Sequence, residues 1–252
     1  KHLENRGKFP LVCFEQPKDV EGRQTEFSLL SNVYASRERI ALALGLTPEQ
    51  AGMELSLEYA RRLEKPIDAV EVNSTFYRPC SSKTAEGWVN RPPAEFEFTV
   101  KAWQQFTHNR EAIQPGDIET FKEGIAPIIT GGRLGCILFQ FPASFHCDDG
   151  TRDRLRDLLD HFTDYPKAVE LRHRSWDEHP EVFDNTDAVR AFIDEPKFRD
   201  STRQRLSSRG GILYVRFHGR QAQKWWHHEH RNERYDYLYS REEIRKHAGS
   251  LQ

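Results

Sequence analysis

The 252-residue sequence predicts an α/β fold in which a parallel sheet curves into a TIM-like (β/α) barrel, complete or irregular. Two observations predict it. Apolar strand segments alternate with amphipathic helical segments, and no hairpin turn joins two strands, as in parallel β/α units with right-handed crossovers. The strands also gather polar residues on one face near their C-terminal ends. A doubly wound sheet covers both faces with apolar helices, whereas the C-terminal mouth of a barrel accommodates polar groups.

The first predicted elements are a helix and a buried strand. Thr47-Pro48-Glu49-Gln50 has the pattern of a capping box with proline at the first helical position. Leu55, Tyr59 and Leu63 then recur at four-residue spacing and predict an apolar stripe on that helix. The strand that follows is Val70–Tyr77, which is rich in β-branched and aromatic residues.

The remaining elements continue this alternation, with Pro92-Pro93 and Gly131-Gly132 ending the next two helices. In chain order we predict a helix over 84–89, the strand Phe96–Lys101, a helix marked by Phe121, Ile125 and Ile128, the strand Cys136–Pro142, a helix marked by Leu155, Leu158 and Phe162, the strand Ala168–Trp176, a helix leading into a very short strand within 181–194, the strand Gly211–Arg220, and a C-terminal helix opened by a capping box of Ser240 and Glu243.

Composition favours one soluble domain spanning 1–252, since single α/β barrels commonly have this length. The 37 basic and 39 acidic side chains nearly cancel, which argues against a protein that coats polyanions or lies on membranes. No apolar run is long enough to span a membrane, and KHLENRGKFPLVCFEQ lacks a signal-peptide core, so we expect a cytoplasmic protein. The four scattered cysteines predict unpaired thiols.

The polar face of the strands predicts a cluster of titratable groups at the barrel mouth. In VEVNSTFY, pleat alternation places Glu71 and Asn73 opposite Val70 and Val72. The same face of the later strands should carry Lys101, Gln140, Glu170, Arg172, Arg216 and His218. Buried charges are costly unless paired, so these side chains should form one network. That network is either an active site or a structural layer of ion pairs.

Within this network we predict Glu71, Glu170 and His218 as catalytic residues. Glu170 is the best candidate general acid or base, because Arg172 on the same strand face can hold it ionised. Glu71 with Glu170 also fits glycosidase-like chemistry, which depends on a carboxyl separation that sequence does not give. His218 would transfer protons or orient the ligand.

The substrate-binding residues should centre on an anion receptor of Lys101, Arg172 and Arg216, since guanidinium groups match phosphate or carboxylate oxygens. Glu71 and Glu170 are the only acidic residues that the sequence places on the inner strand faces to offset these three cations. Further predicted substrate-binding residues are Asn73, His108, Gln140 and Tyr237. His108, just beyond the Lys101 strand, has a loop cap as its alternative role.

Arg220–Asp236 is polar and unpatterned, and it predicts a mobile loop at the mouth. Its WWHHEH stretch, 225–230, lacks the spacing of a helical His-Glu-x-x-His site, so no metal-binding residues are predicted. Trp225 and Trp226 are instead candidate stacking surfaces for a ligand.

Six segments resemble, in order, motifs of the YecE-like family, known as domain of unknown function 72. They are VEVNSTFYRP, FEFTVKAWQQFTH, LGCILFQFPASF, AVELRHRSW, LYVRFHGR and YDYLYS. The resemblance spans about 55–243 and implies a TIM-barrel-like fold without a particular activity. Two family features are absent: a first strand bearing glycine and tryptophan, and a last strand ending in paired asparagines and a histidine. The barrel is therefore expected to be incomplete or completed differently.

The sequence as a whole predicts an enzyme acting on a phosphorylated or other anionic substrate, with phosphodiester hydrolysis as the sharper form. The lack of a multi-metal His/Asp/Glu cluster counts against that sharper form. The alternative is a non-catalytic barrel that binds nucleic acid or a metabolite through the same cations with Trp225, Trp226 and Tyr237. Expected partners are thus an anionic small molecule or a nucleic-acid fragment, not a membrane. The sequence identifies neither a cofactor nor a protein partner.

Overall fold

The structure, a computed structural model, describes residues 11–14, 69–109, 111–203, 206–227, 237, 239–240 and 242–243. For 11–14 it describes the backbone. The predicted capping box at 47–50, the helix marked by Leu55, Tyr59 and Leu63, and residues 228–236 of the predicted mobile loop lie outside the described residues.

Strands and helices alternate along the described chain. The strands are β1 Leu11–Phe14, β2 Ala69–Val72, β3 Glu97–Lys101, β4 Leu134–Gln140, β5 Lys167–Glu170, β6 Ala188–Arg190, β7 Phe192–Asp194 and β8 Tyr214–Phe217. The α-helices are α1 Ser82–Val89, α2 Gln104–Thr107, α3 Pro115–Thr130 and α4 Asp149–Asp160, and short 3-10 helices span Ser74–Phe76, Arg174–Glu178 and Pro180–Phe183.

The strands form two parallel sheets, ordered β2-β3-β4-β5-β6 and β1-β8-β7. Ala191 alone separates β6 from β7, and its N–H donates to the Val169 carbonyl at 2.9 Å, so the chain passes there from one sheet to the other. Tyr214 and Arg216 on β8 reach Glu71 on β2, so the sheets face a common interior. This arrangement is an incomplete TIM-like barrel, and the predicted parallel α/β fold is confirmed.

Pleat alternation divides the strand side chains between two apolar regions. Phe98, Phe139 and Val169 belong to the large core between the strands and the surrounding helices. A smaller cluster of Cys136, Leu138, Ala168, Val189, Ala191 and Tyr214 fills the interior. The charged side chains continue this interior face toward the C-terminal ends of the strands, as the sequence predicted.

Three elements differ from their predicted form. The strand predicted over 70–77 ends at Val72 and continues as the 3-10 helix Ser74–Phe76. The strand predicted over 168–176 ends at Glu170. The helix predicted within 181–194 is only the 3-10 helix that ends at Phe183, since Asn185 adopts a φ of 62°, while the predicted very short strand is present as the three-residue strands β6 and β7.

The predicted capping box at the C-terminal end is confirmed. The Ser240 N–H donates to Glu243 Oε2 at 2.8 Å, and the Glu243 N–H donates to Ser240 Oγ at 3.2 Å. Among the described helices, none combines the length and apolarity needed to cross a lipid bilayer.

Candidate functional site

Arg216 is the centre of a buried network at the C-terminal end of the strands. Its NH2 lies 2.8 Å from Glu71 Oε1, and its NH1 lies 2.6 Å from Glu170 Oε2. NH1 also donates to Gln140 Oε1 at 3.0 Å. The Arg216 side chain is 2% exposed, so its charge is neutralised within the protein. One guanidinium thereby joins β8 to β2, β4 and β5.

Arg172 extends this network toward solvent. Its Nε and NH2 lie 2.7 and 2.6 Å from Glu170 Oε1, so Glu170 is shared between the two arginines. The Arg172 side chain is 15% exposed, compared with 0% for Glu170. Arg172 is therefore the arginine of this network that a ligand entering from the mouth can reach.

Glu170 is ionised because of this arrangement. Burial would raise the pKa of its carboxyl group, but Arg172, Arg216 and His218 outweigh that effect and hold the pKa well below its usual range. Both oxygens accept from arginine donors. The carboxylate of Glu71 is also engaged on both sides, since its Oε2 accepts from the Tyr214 hydroxyl at 2.6 Å.

His218 is buried between the two arginines, with its side chain 1% exposed. Its Nε2 lies 3.4 Å from Arg172 NH2 and 3.4 Å from Arg216 NH1. The same nitrogen is 3.7 Å from Glu170 Oε1. The imidazole is therefore placed beside the ionised carboxylate, at a distance longer than a direct hydrogen bond.

Lys101 and His108 both contact the Phe76 ring. The Lys101 Nζ is 4.4 Å from the ring centroid, and the His108 ring packs edge-on at 4.9 Å. Partial burial, followed by the charges of Lys101 and Arg172, lowers the pKa of His108 to about 4. His108 is consequently neutral near pH 7, in a region of positive potential.

The structure thus brings together most of the side chains predicted to meet at the mouth: Glu71, Gln140, Glu170, Arg172, Arg216 and His218, with Lys101 and His108 beside them. Asn73 is placed differently. It starts the 3-10 helix Ser74–Phe76, where its carbonyl accepts from the Phe76 N–H at 3.1 Å, and its side chain makes no capping hydrogen bond.

Tyr237 lies outside this network, in a group that we call the C-terminal anchor: Asp194, Arg220, Tyr237, Tyr239 and Glu243. Arg220 binds Asp194 through Nε and NH2 at 2.8 and 2.9 Å, and Glu243 through NH1 at 2.9 Å. The Tyr237 hydroxyl donates to Glu243 at 2.7 Å, while the Tyr239 hydroxyl donates to Asp194 at 2.6 Å. These contacts hold the Tyr237 hydroxyl in the anchor, and its role as a substrate-binding residue stays a prediction.

Glu195 is a site residue that the sequence interpretation missed. It is 4% exposed, and its Oε2 lies 3.8 Å from Arg172 NH1. Ala191, Ile193 and Glu195 alternate along one strand face, and Pro196 favours extended backbone at Glu195, so this pattern could have revealed it. The expectation that only Glu71 and Glu170 offset the inner cations was therefore wrong.

The two adjacent tryptophans differ in environment. Trp225 is buried at 6% exposure, which removes it as a stacking surface for a ligand. Trp226 is 61% exposed, with its ring centroid 5.6 Å from that of Phe198. Within the described ranges, no group of three or more histidine, cysteine or acidic side chains could hold a metal ion. Residues 228–230 of WWHHEH lie outside those ranges.

The sequence is similar to known protein families and to a curated relative. Residues 44–252 match the family described as "Protein of unknown function DUF72". Residues 1–58 match a second one, the N-terminal domain of 3-octaprenyl-4-hydroxybenzoate carboxy-lyase. The UPF0759 protein YunF of Bacillus subtilis strain 168 is 31% identical over 205 residues, which cover 73% of this chain and 72% of that protein.

Solved structures of two DUF72 family proteins are similar to this chain. The protein from Thermotoga maritima MSB8 has a TM-score of 0.69 and 30% identity, over 96% of this chain and 86% of that one. The protein from Enterococcus faecalis V583 has a TM-score of 0.67 and 25% identity, over 77% of this chain and 75% of that one. These likenesses support the incomplete TIM-like barrel and assign no substrate to it.

Proposed function

This chain belongs to the DUF72 family, and from that premise and the geometry of its barrel mouth we propose that it is an enzyme acting on a phosphorylated or other anionic substrate. The fixed orientation of Arg172 carries the proposal. Glu170 holds two of its nitrogens at 2.7 and 2.6 Å, while the side chain remains 15% exposed at the mouth. A guanidinium held in this way binds an oxyanion with little further loss of conformational entropy.

Lys101 and His108 support the same site. Both Lys101 and Arg172 act electrostatically on His108, so positive potential extends across the mouth rather than ending at one arginine. An oxyanion bound there would be attracted to two cations and could accept from the neutral imidazole. Arg216, which is 2% exposed, would act mainly by holding Glu170 and Glu71 in place.

The proposed catalytic groups are Glu71, Glu170 and His218. A substrate anion bound to Arg172 would draw that guanidinium away from Glu170 in part, which would make the carboxylate a better proton acceptor. His218 lies 3.7 Å from Glu170, so it would then exchange a proton with Glu170 through one intervening water molecule. Glu71 would hold Arg216 in place during this change. Hydrolysis of a phosphate ester, including a phosphodiester, is the reaction class that these roles fit.

A second candidate is a non-catalytic barrel that binds nucleic acid or a metabolite. The observation that favours it is the engagement of both oxygens of Glu170 and of Glu71 by protein donors. Carboxylates used fully in this way orient arginines and need not transfer protons. Binding without turnover is the result that this candidate predicts.

Calorimetric titration with inorganic phosphate tests the anion site. Wild type should bind phosphate, and Arg172→Gln should weaken the affinity by about tenfold or more, because a charged hydrogen-bond donor is lost. Arg156→Gln is the matched control, since Arg156 is 46% exposed and pairs with Asp153 on α4. Equal binding by wild type and Arg172→Gln would refute the site.

A panel of phosphate monoesters and diesters then separates the two candidates. Turnover that is lost in His218→Asn, with the fold of the variant checked by circular dichroism, supports the enzyme. If every ester binds and none is hydrolysed, the non-catalytic candidate is correct.

A further inference from the structure

We propose that the ligand of this mouth carries a hydroxyl group near its anionic group, as in a sugar or polyol phosphate, and that Glu195 binds that hydroxyl. This inference rests on the proposed anion site at Arg172 and adds the substrate class.

The unsatisfied carboxylate of Glu195 is the observation behind it. Glu195 is 4% exposed, and its buried Oε2 has no hydrogen-bond partner in the part of the chain that the structure describes. The cation Arg172 NH1 is 3.8 Å away, which allows electrostatic attraction but is too long for a hydrogen bond. Buried polar atoms are nearly always hydrogen-bonded, so such an atom beside a binding site indicates a ligand group.

The backbone holds Glu195 in this position. Pro196 restricts Glu195 to extended conformations, which continue the alternation of β7 and direct its side chain to the interior face with Ile193. Lys197 interacts electrostatically with Glu195 but does not hydrogen-bond to Oε2, because its Nζ donates to the carbonyls of Ile193 and Thr202 at 3.4 and 3.2 Å. The unsatisfied oxygen is therefore not served by the neighbouring lysine.

The chemistry of Glu195 restricts what can meet it. An ionised carboxylate accepts hydrogen bonds and does not donate them, so a phosphate oxygen would be repelled and a donor is required. An ammonium donor is disfavoured by Arg172, which is 3.8 Å from Oε2, and by Lys197, whose charge already interacts with Glu195. A hydroxyl is the donor that remains, and Arg172 lies close enough to hold an oxyanion of the same small molecule.

Calorimetry with two matched ligands tests this proposal. Glycerol 3-phosphate carries hydroxyls beside its phosphate, whereas propyl phosphate has the same carbon chain without them. Wild type should bind glycerol 3-phosphate at least about tenfold more tightly, because a buried polar group discriminates against an analogue that leaves it unpaired. In Glu195→Ala this preference should fall below about threefold while inorganic phosphate still binds.

Glu195→Gln serves as the second variant in case the alanine variant does not fold. It should reduce the preference and leave the affinity for inorganic phosphate equal or higher, because the repelling charge is gone. The proposal is overturned if wild type shows no preference for glycerol 3-phosphate, or if the preference survives in the variants. Failure of phosphate and of both esters to bind wild type would instead refute the proposed anion site itself.

Discussion

At the residue scale, Glu170 determines how the mouth can bind and react. It is fully buried and lies between Arg172 and Arg216, so each arginine neutralises a charge that would otherwise be costly in the interior. Replacing Arg172 leaves Glu170 paired with Arg216. Replacing Glu170 would leave two cations without their shared carboxylate. The two substitutions should therefore differ greatly in their effect on stability.

His108 should report on the anion directly. Its pKa is lowered to about 4 by partial burial and by Lys101 and Arg172, so a phosphate that offsets these two cations should raise it. The measurement is a pH titration of the histidine ring resonances by nuclear magnetic resonance, with and without inorganic phosphate. His161, the residue that follows α4, is the control and its chemical shifts should not respond to phosphate. A His108 pKa that phosphate leaves unchanged would argue against the site.

The same residue makes stability depend on pH. The folded pKa of about 4 lies below the ordinary value of 6.5, so protons bind more strongly to the unfolded chain. His108 therefore lowers the free energy of unfolding progressively as pH falls from about 6.5 toward 4. In His108→Gln the loss of stability between pH 7 and pH 5, measured by denaturant unfolding, should be smaller than in wild type. An equal loss in both proteins would contradict this assignment.

Pleat alternation was sufficient to predict that Glu71, Gln140, Glu170 and Arg216 meet, because these residues lie in the regularly paired parts of β2, β4, β5 and β8. Tyr237 could not be placed in this way. Its position depends on where the segment around 237–243 docks, and Arg220 and Asp194 decide that through contacts distant in sequence. Glu195 was missed for a different reason. The strand before it is divided at Ala191 between two sheets, which obscures its period.

At the element scale, α3 packs where a glycine removes a side chain. A Cβ at Gly124 would lie 2.2 Å from the Cys80 carbonyl oxygen, whereas a Cβ at Gly116 on the same helix meets nothing within 4 Å. Alanine favours a helix by about 1 kcal/mol over glycine, but overpacking costs about 1–3 kcal/mol. Both glycines lie in the helix, so the comparison isolates the contact.

Gly124→Ala should therefore reduce the free energy of unfolding by up to about 2 kcal/mol once the helix preference of alanine is subtracted, since α3 must shift away from Cys80. Gly116→Ala should be neutral or stabilising by up to about 1 kcal/mol. Denaturant unfolding of the two variants and wild type measures both values. If both substitutions stabilise the protein equally, the close packing of α3 against Cys80 is incorrect.

Element types were predictable where an apolar period was long. Phe121, Ile125 and Ile128 are buried on α3, and Leu155, Leu158 and Leu159 are buried on α4. The helix predicted within 181–194 ends early, because Asn185 introduces a turn that only the folded backbone reveals, and the apolar residues after it belong to β6 and β7. Strand ends were also placed too late, since a strand and a following 3-10 turn share apolar residues, as at Phe76.

At the scale of the whole molecule, the network connects the two sheets of the incomplete barrel. Arg216 on β8 binds Glu71 on β2 and Glu170 on β5, which joins the three-stranded sheet to the five-stranded one. These ion pairs therefore stabilise the contact between the two sheets, in addition to any role in binding a ligand. Arg216, which is 2% exposed, is therefore expected to stabilise the fold, and Arg172, which is 15% exposed, is expected to bind the ligand.

The thiols should be unpaired throughout the molecule. Cys80, Cys136 and Cys147 are free in the described structure, and burial raises the pKa of Cys80 to about 11 and of Cys136 to about 12. Buried neutral thiols react slowly. Intact mass measured with and without reductant should show no difference of two hydrogens, and Cys13, whose side chain is outside the described residues, is included in that test. A native disulfide would contradict the expectation of a cytoplasmic protein.

The most direct test of the central claim is denaturant unfolding of wild type and Arg172→Gln, each with and without inorganic phosphate. Glu170 keeps its bond to Arg216 in the variant, so we expect a loss of no more than roughly 1–2 kcal/mol. Phosphate at about ten times its wild-type Kd should stabilise wild type by about 1.4 kcal/mol and the variant, whose Kd is about tenfold or more higher, by about 0.4 kcal/mol or less. A structural ion-pair layer predicts a loss of about 3–5 kcal/mol and no effect of phosphate on either protein, and that result would contradict the anion site.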